Sequence, residues 1–171
     1  ALLYLRFGAT LTFLKYVIFA GFLIIIFFID LFHKIIPDSL SLPLIPLGLI
    51  FAFLPYFDVN WKYALIGGAS GFALFYTIAL VYWAITKRMG MGGGDIKLIA
   101  GIGLFTGIVG VFFSIFVAAL LALLVAIITR KKFKNEVPFG PFLVVGALFH
   151  VFFGYRIIYW YLDLFLVTTH W

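Results

Sequence analysis

The sequence predicts an all-α, polytopic membrane protein of about six transmembrane helices, some of them short or broken. Three observations carry this expectation. The 171-residue chain is 66% hydrophobic and 11% charged, with a mean hydropathy of +1.26, where a soluble domain carries about 25% charged residues. A single core of this size cannot hide so much apolar surface from water, so lipid must be the solvent for much of it. The apolar residues fall in runs near the length that a bilayer requires, about 20 residues. The basic residues stand in short clusters between those runs, and the 23 Phe, 9 Tyr and 4 Trp suit lipid contact and interfacial belts. The net charge of +6 is therefore read as topology and not as nucleic-acid binding. With no cysteine there is no disulfide, thiolate metal site or Cys nucleophile.

Residues 1–8 read as the last turns of a preceding span, so the chain is expected to begin after a further segment. Leu11 to Ile29 is the first clear span, interrupted only by Lys15, and Asp30 follows at once. Leu40 to Pro55 is a short second run with Pro43 and Pro46 near its start, where proline is tolerated. Trp61 to Thr86 is long enough to cross with tilt and is closed by Lys87 and Arg88. Its Gly67, Gly68 and Gly71 form a small-residue face suited to close helix packing. Met89 to Asp95 is a glycine-rich loop. The stretch Ile96 to Thr129 would measure about 51 Å as one straight helix, against a hydrocarbon core of about 30 Å. It is split near Thr106-Gly107 into a short helix, 96–105, and a full span, 108–129. Arg130-Lys131-Lys132-Phe133-Lys134 is the strongest charge cluster, and Pro138-Phe139-Gly140-Pro141 opens another apolar run to about Phe153. The aromatic tail, Tyr155 to Trp171, reads as a partial or interfacial helix. Two crossings between successive basic loops place Lys34, Lys87/Arg88 and residues 130–134 on one side, which the Lys/Arg bias assigns to the cytoplasm. Asp58 and Asn60 then lie outside, and Asp30 and Asp95 share the cytoplasmic boundary.

In so apolar a chain each carboxylate needs an account, because ionisable groups at membrane depth are costly. Asp58 reads as a loop residue, Asp163 as interfacial, and Glu136 as the counter-charge of the adjacent cations. Asp30 ends an unbroken apolar run, where the helix macrodipole disfavours an anion. Asp95 has a plain reading as an N-cap for a helix from 96. The alternative rests on Gly90, Gly92, Gly93 and Gly94, which strip side chains from its approach and allow positive φ or another backbone close by. Two carboxyls held together do not both ionise readily. One then activates water as a base while the other polarises a scissile carbonyl and protonates the leaving amine. That chemistry requires no metal and no cofactor. Lys97 either biases the ionisation of Asp95 or snorkels. His33 and Lys34 mark the boundary, Asp38 is expected to cap a helix from 39, and His150 and His170 lack metal-ligand spacing. Pro138–Pro141 either lines the site or only breaks a helix.

The segment Ile29-Asp30-Leu31-Phe32-His33-Lys34-Ile35-Ile36-Pro37-Asp38-Ser39-Leu40-Ser41-Leu42-Pro43-Leu44 resembles the first aspartate segment of type IV prepilin peptidases, the leader peptidases of type IV pilus and type II secretion systems. Gly90-Met91-Gly92-Gly93-Gly94-Asp95-Ile96-Lys97-Leu98 resembles their second, the G-x-G-D motif shared with other intramembrane aspartyl proteases, and Pro138-Phe139-Gly140-Pro141-Phe142-Leu143 a third. The resemblance implies a single transmembrane peptidase domain over 1–171, with Asp30 and Asp95 as the catalytic pair and Gly92, Gly94 and Lys97 in support. The implied partners are prepilin or pseudopilin leaders at the cytoplasmic face of the inner or plasma membrane, together with membrane lipid. Family members usually also carry a four-cysteine zinc part associated with N-methylation from S-adenosylmethionine. This cysteine-free chain is expected to lack it, and the oligomeric state stays open. Two other readings compete: an archaeal-type preflagellin peptidase, and a non-enzymatic small transporter, which would place its carboxylates nearer mid-membrane.

Overall fold

The computed structural model describes residues 2–54, 57–88, 90–129 and 138–167, and every described element is helical. In order these are α1 (Leu2–Phe7), α2 (Leu11–His33), α3 (Asp38–Phe53), α4 (Trp61–Thr86), α5 (Gly93–Thr129), α6 (Gly140–Phe149), a π-helical turn (His150–Gly154) and α7 (Tyr155–Val167). Four stretches are long and apolar enough to cross a membrane, Leu11–His33, Trp61–Thr86, Gly93–Ile128 and Gly140–Ile158, and α3 is a shorter apolar helix. The chain is thus an all-α, multi-pass membrane protein. The basic cluster 130–134, Glu136 and His170 lie outside the described residues.

Local sequence sets the helix ends. The Thr10 hydroxyl accepts the Phe13 N–H at 3.3 Å to start α2, and the Asn60 side chain accepts the Lys62 N–H at 3.0 Å to start α4. Lys34 and Lys87 end these helices in the left-handed region, at φ 56° and 55°, and return their N–H groups to the carbonyls of Asp30 and Trp83. Helix α2 therefore runs four residues beyond the expected Ile29, because a left-handed Lys34 closes it where an apolar run alone does not. Helix α3 begins at Asp38 with Pro37 in the cap position, so Asp38 is not the expected N-cap. Pro43 and Pro46 consequently lie inside the helix and not in its first turn.

The break near Thr106-Gly107 is present. Gly107 has φ 73° and ψ −178° inside α5, a conformation open to glycine. Packing shows that the chain reverses there. Gly67, Gly68 and Gly71 of α4 lie against Gly103, Leu104 and Ile99, so the first half of α5 runs antiparallel to α4. Gly67 also meets Gly107 and Ile108, and Gly71 meets Val111, so the second half runs parallel to α4. Gly146 against Ser114 and Gly110 against His150 make α6 antiparallel to that second half. Counting α3 and both halves of α5, the described residues make six passes between the two ends of the bundle. The α2–α3 and α4–α5 connections share one end, and the α3–α4 connection lies at the other. The first half of α5 is the axis of the fold: Leu98, Ile99, Ile102 and Phe105 are fully buried, with the Phe105 ring stacked on Phe19 at 4.5 Å. Of the tail expected from Tyr155 to Trp171, the described part, Tyr155–Val167, is helical and continues α6 through the π turn.

Candidate active site

Asp30 occupies the last turn of α2 and Asp95 the first turn of α5, at the same end of the bundle. They are close enough for the charge of Asp30 to act on Asp95. Asp30 is only 4% exposed. As a carboxylate at a helix C-terminus it is opposed by its own helix. The opposing contribution comes from α6, whose first residue, Gly140, directs its backbone N–H to the Asp30 carboxyl, so that a helix N-terminus meets the anion. A Cβ on Gly140 would overlap Asp30 Oδ2 and stand 3.2 Å from Asp30 Cγ and 2.9 Å from Ile36 Cδ1. Gly140 thus allows the α6 backbone to approach the carboxylate. The Pro138–Pro141 segment had two sequence readings, and the structure joins them: it opens a helix, and that helix end lines the aspartate. Pro141, at the start of α6, suits a position whose N–H needs no intrahelical partner.

Asp95 is not the N-cap of α5. The helix starts earlier, at Gly93, and the Asp95 N–H donates to the Gly92 carbonyl at 3.1 Å. Its side chain is half-buried, and Oδ1 is buried with no hydrogen-bond partner in the chain. A buried carboxylate oxygen without a partner is costly in a structural role and available to a reacting group. The glycines around it act by space. A Cβ on Gly94 would stand 2.6 Å from Ile36 Cβ and 3.0 Å from the Ile36 carbonyl oxygen, while one on Gly92 would meet Asp95 Oδ2 at an ordinary 3.4 Å. Gly90 lies against the Tyr82 ring. The expected positive φ is not found: among the described residues the only glycines with positive φ are Gly8 and Gly107. Ile36 is wedged between Gly94 and Gly140 and ties together the two segments that carry and contact the carboxylates. Phe139 packs on Phe75 of α4 with ring centroids 6.1 Å apart.

Lys97 does not address Asp95. Its ammonium pairs with Asp38 at 2.6 Å, joining the starts of α3 and α5. Sequence reasoning missed the individual contributions of Gly140 and Ile36; the Pro-Phe-Gly-Pro segment was the available signal for the first, and nothing marked the second. It also took Asp58 for a plain loop residue. At the opposite end of the bundle, Asp58 accepts the ammonium of the buried Lys15 at 2.8 Å and the Tyr16 hydroxyl. Among the described residues no group of three or more His, Cys, Asp or Glu side chains is gathered that would hold a metal.

Helical passes thus bring two aspartates to one end of the bundle, beside a glycine-rich loop and a third helix start. The family model for the type IV leader peptidase family matches residues 17–127, and the chain belongs to that family. It is 40% identical over 130 residues to the prepilin leader peptidase/N-methyltransferase of Neisseria gonorrhoeae, covering 76% of this chain and 45% of that protein. It is 33% identical over 150 residues to the protein of the same name from Xanthomonas campestris, covering 85% and 52%. With the Bacillus subtilis protein the identity is 31% over 164 residues, covering 94% and 64%. The chain spans about half the length of the first two relatives. No solved structure matches it.

Proposed function

We propose that the chain is an aspartic-type endopeptidase that removes the basic leader of type IV prepilins or pseudopilins at the cytoplasmic face of the inner or plasma membrane, with Asp30 and Asp95 as its catalytic pair. The observation that carries this reading is the meeting of the last turn of α2 with the first turn of α5, where a nearly buried Asp30 lies in electrostatic reach of an Asp95 with an unpartnered buried oxygen. One carboxylate takes a proton from water as the water oxygen attacks the scissile carbonyl carbon. The other, protonated, donates to the carbonyl oxygen. When the C–N bond breaks, the departing amine takes the proton held by the first carboxyl, not one from the second as the sequence suggested, and the second carboxylate regains its proton from a hydroxyl of the gem-diol intermediate, leaving a carboxyl on the leader and a new N-terminal amine. Gly140 holds Asp30 in place through its backbone N–H, and Ile36 packs between Gly94 and Gly140. The cytoplasmic orientation is supported by His33, Lys34, Lys87 and Arg88, which cluster at the aspartate end. The relatives named above carry the substrate class in their names.

The test is cleavage of a detergent-solubilised prepilin by Asp30→Asn, Asp95→Asn and the double variant. Groups that act as a unit are strongly non-additive, so each single variant should lose nearly as much activity as the double. Asp38→Asn and Asp163→Asn should keep cleaving. Substantial cleavage by either catalytic-pair variant would overturn the mechanism. Cleavage of preflagellins in place of prepilins would redirect the substrate assignment and leave the mechanism standing.

A further inference from the structure

Helix α2 ends in a turn that sends the chain back past Asp30. Lys34 is left-handed, and its N–H donates to the Asp30 carbonyl at 2.9 Å, which reverses the chain across the helix end. The linker to α3 then carries two adjacent isoleucines with opposite fates. Ile35 is 60% exposed, whereas Ile36 turns inward and packs on the core. Pro37 restricts the Ile36 backbone, because the residue before a proline is held in the extended region. The β-branch leaves its χ1 little freedom. The Cβ and the carbonyl oxygen of Ile36 stand 2.6 and 3.0 Å from the point that a Gly94 Cβ would occupy. Its Cδ1 stands 2.9 Å from the matching point at Gly140, and Asp30 Oδ2 borders that same point. The end of the Ile36 side chain and the Asp30 carboxylate are therefore neighbours.

We propose that Ile36 is a positioning residue for the aspartate pair: its side chain fills the space between the starts of α5 and α6, fixes the spacing of the two carboxyls and closes Asp30 off from water. The inference rests on the reading of Asp30 and Asp95 as a catalytic pair. Three features select this role over plain core packing. Ile36 stands where three segments meet, the ends of α2 and α5 that carry the carboxyls and the start of α6 that donates to Asp30. Both positions that it touches are glycine, so the space for an aliphatic chain is cleared from two sides. Asp30 also needs a cover that its own helix does not give. It is buried in the last turn of α2, while the residues after it, Leu31, Phe32 and His33, are all exposed. The cover comes from the α6 start and from the Ile36 side chain. Ile36 works through the aspartates, by holding Asp30 against the Gly140 N–H and the Asp95 segment at a set distance from it.

Two measurements on the full chain in detergent test this. The first is steady-state cleavage of a prepilin. Ile36→Ala should lower kcat about tenfold, part of the roughly 10²-fold that a 1 Å misplacement costs, and leave KM nearly unchanged. Ile36 is only partly buried, so the variant should fold. Ile36→Leu conserves the volume and should recover most of the lost rate. Ile35→Ala, on the exposed neighbour, should cleave as wild type does. Ile102→Ala truncates a fully buried isoleucine and should lower the melting temperature more than Ile36→Ala does, yet keep its rate per folded molecule. The second measurement needs no cleavage. The chain has no cysteine, so Asp30→Cys carries its one thiol, and a small water-soluble methanethiosulfonate reports how far water reaches it. The thiol should react slowly when Ile36 is present and several-fold faster when Ile36→Ala accompanies it. Wild-type kcat in Ile36→Ala overturns the proposal, as does equal labelling of Asp30→Cys with and without Ile36→Ala. An Ile102→Ala variant that loses as much rate per folded molecule overturns it too, since the effect would then be one of stability. A wild-type chain that leaves prepilin uncut would sink the peptidase reading, while the labelling rates still decide whether Ile36 covers Asp30.

Discussion

Gly140→Ala isolates the contribution of the α6 start to the aspartate pair. One methyl group is added where the Cβ would overlap Asp30 Oδ2 and press Ile36 Cδ1 at 2.9 Å. Ile36 is a side chain that can rotate away, but Asp30 is 4% exposed and has little room to move. To reach ordinary contact the carboxylate must withdraw by roughly 1 Å, and a misplacement of that size costs on the order of 10²-fold in rate. Gly140→Ala should therefore cut the rate constant of prepilin cleavage about 10²-fold. The melting temperature of the purified protein should change far less than the rate, since one buried methyl is accommodated at a helix start. The companion variant is Gly146→Ala, two turns along α6, whose Cβ would overlap the Ser114 carbonyl and not a carboxylate. It should lower the melting temperature while the folded fraction keeps its rate. If Gly140→Ala cleaves at half the wild-type rate or better, or if Gly146→Ala loses activity per folded molecule as completely, the positioning argument fails.

Three further outcomes follow from the same geometry. Gly94→Val should insert and fold yet cleave poorly, because its Cβ would meet the Ile36 backbone and side chain at 3.0 and 2.6 Å; unimpaired cleavage in a prepilin assay would refute this. Lys15→Met leaves the Asp58 carboxylate, whose side chain keeps 28% exposure, without its ammonium partner and should destabilise the protein by about 1–3 kcal/mol, whereas Lys15→Met with Asp58→Asn recovers more than half of that; equal denaturation midpoints for the single and double variants would contradict the pairing. Lys97→Met breaks a pair whose partners keep 33% and 59% side-chain exposure, so it should change stability by only ~0–1 kcal/mol and leave cleavage essentially intact. A large loss of cleavage with unchanged stability would return Lys97 to the site.

What the sequence made legible were features that one segment determines. The bounds Trp61 to Thr86 follow from Asn60 before and a charged pair after, and the structure has those ends. The reversal at Gly107 follows from a length no single helix can fit across a bilayer, together with a residue that tolerates the turn. The placement of Asp30 and Asp95 at one end follows from counting passes. What stayed hidden depends on partners far apart in the chain. Lys15 and Asp58 are 43 residues apart and Lys97 and Asp38 are 59 apart, so no local pattern joins them. The start of α5 was masked by its own composition: Gly93 and Gly94 are poor helix formers, yet they are helical because Ile36 packs against Gly94, and this moves Asp95 from the cap into the first turn. The role of Gly140 is an interaction of its backbone N–H, which residue type does not reveal.

The length of the first half of α5 helps set where the proposed catalytic pair sits. Residues 93–106 span about 21 Å, short of the roughly 30 Å of a hydrocarbon core, while the 26 residues of α4 span about 39 Å. A helix so short would be untenable facing lipid, since its ends would leave unsatisfied backbone in hydrocarbon. It is tolerated here because α3 and α4 pack against it and because close glycine contacts, Gly67 and Gly68 on Gly103 and Leu104, leave no gap for lipid. Its start is therefore recessed among longer helices. That recess carries Asp95 below the level at which α4 ends and beside the last turn of α2, where Asp30 meets the start of α6. Gly94 and Gly140 admit Ile36 and Asp30 into space that a Cβ would occupy. The short axis helix and the glycines around it thus act together. They set two carboxyls at one end of the bundle, one of them 4% exposed and the other half-buried.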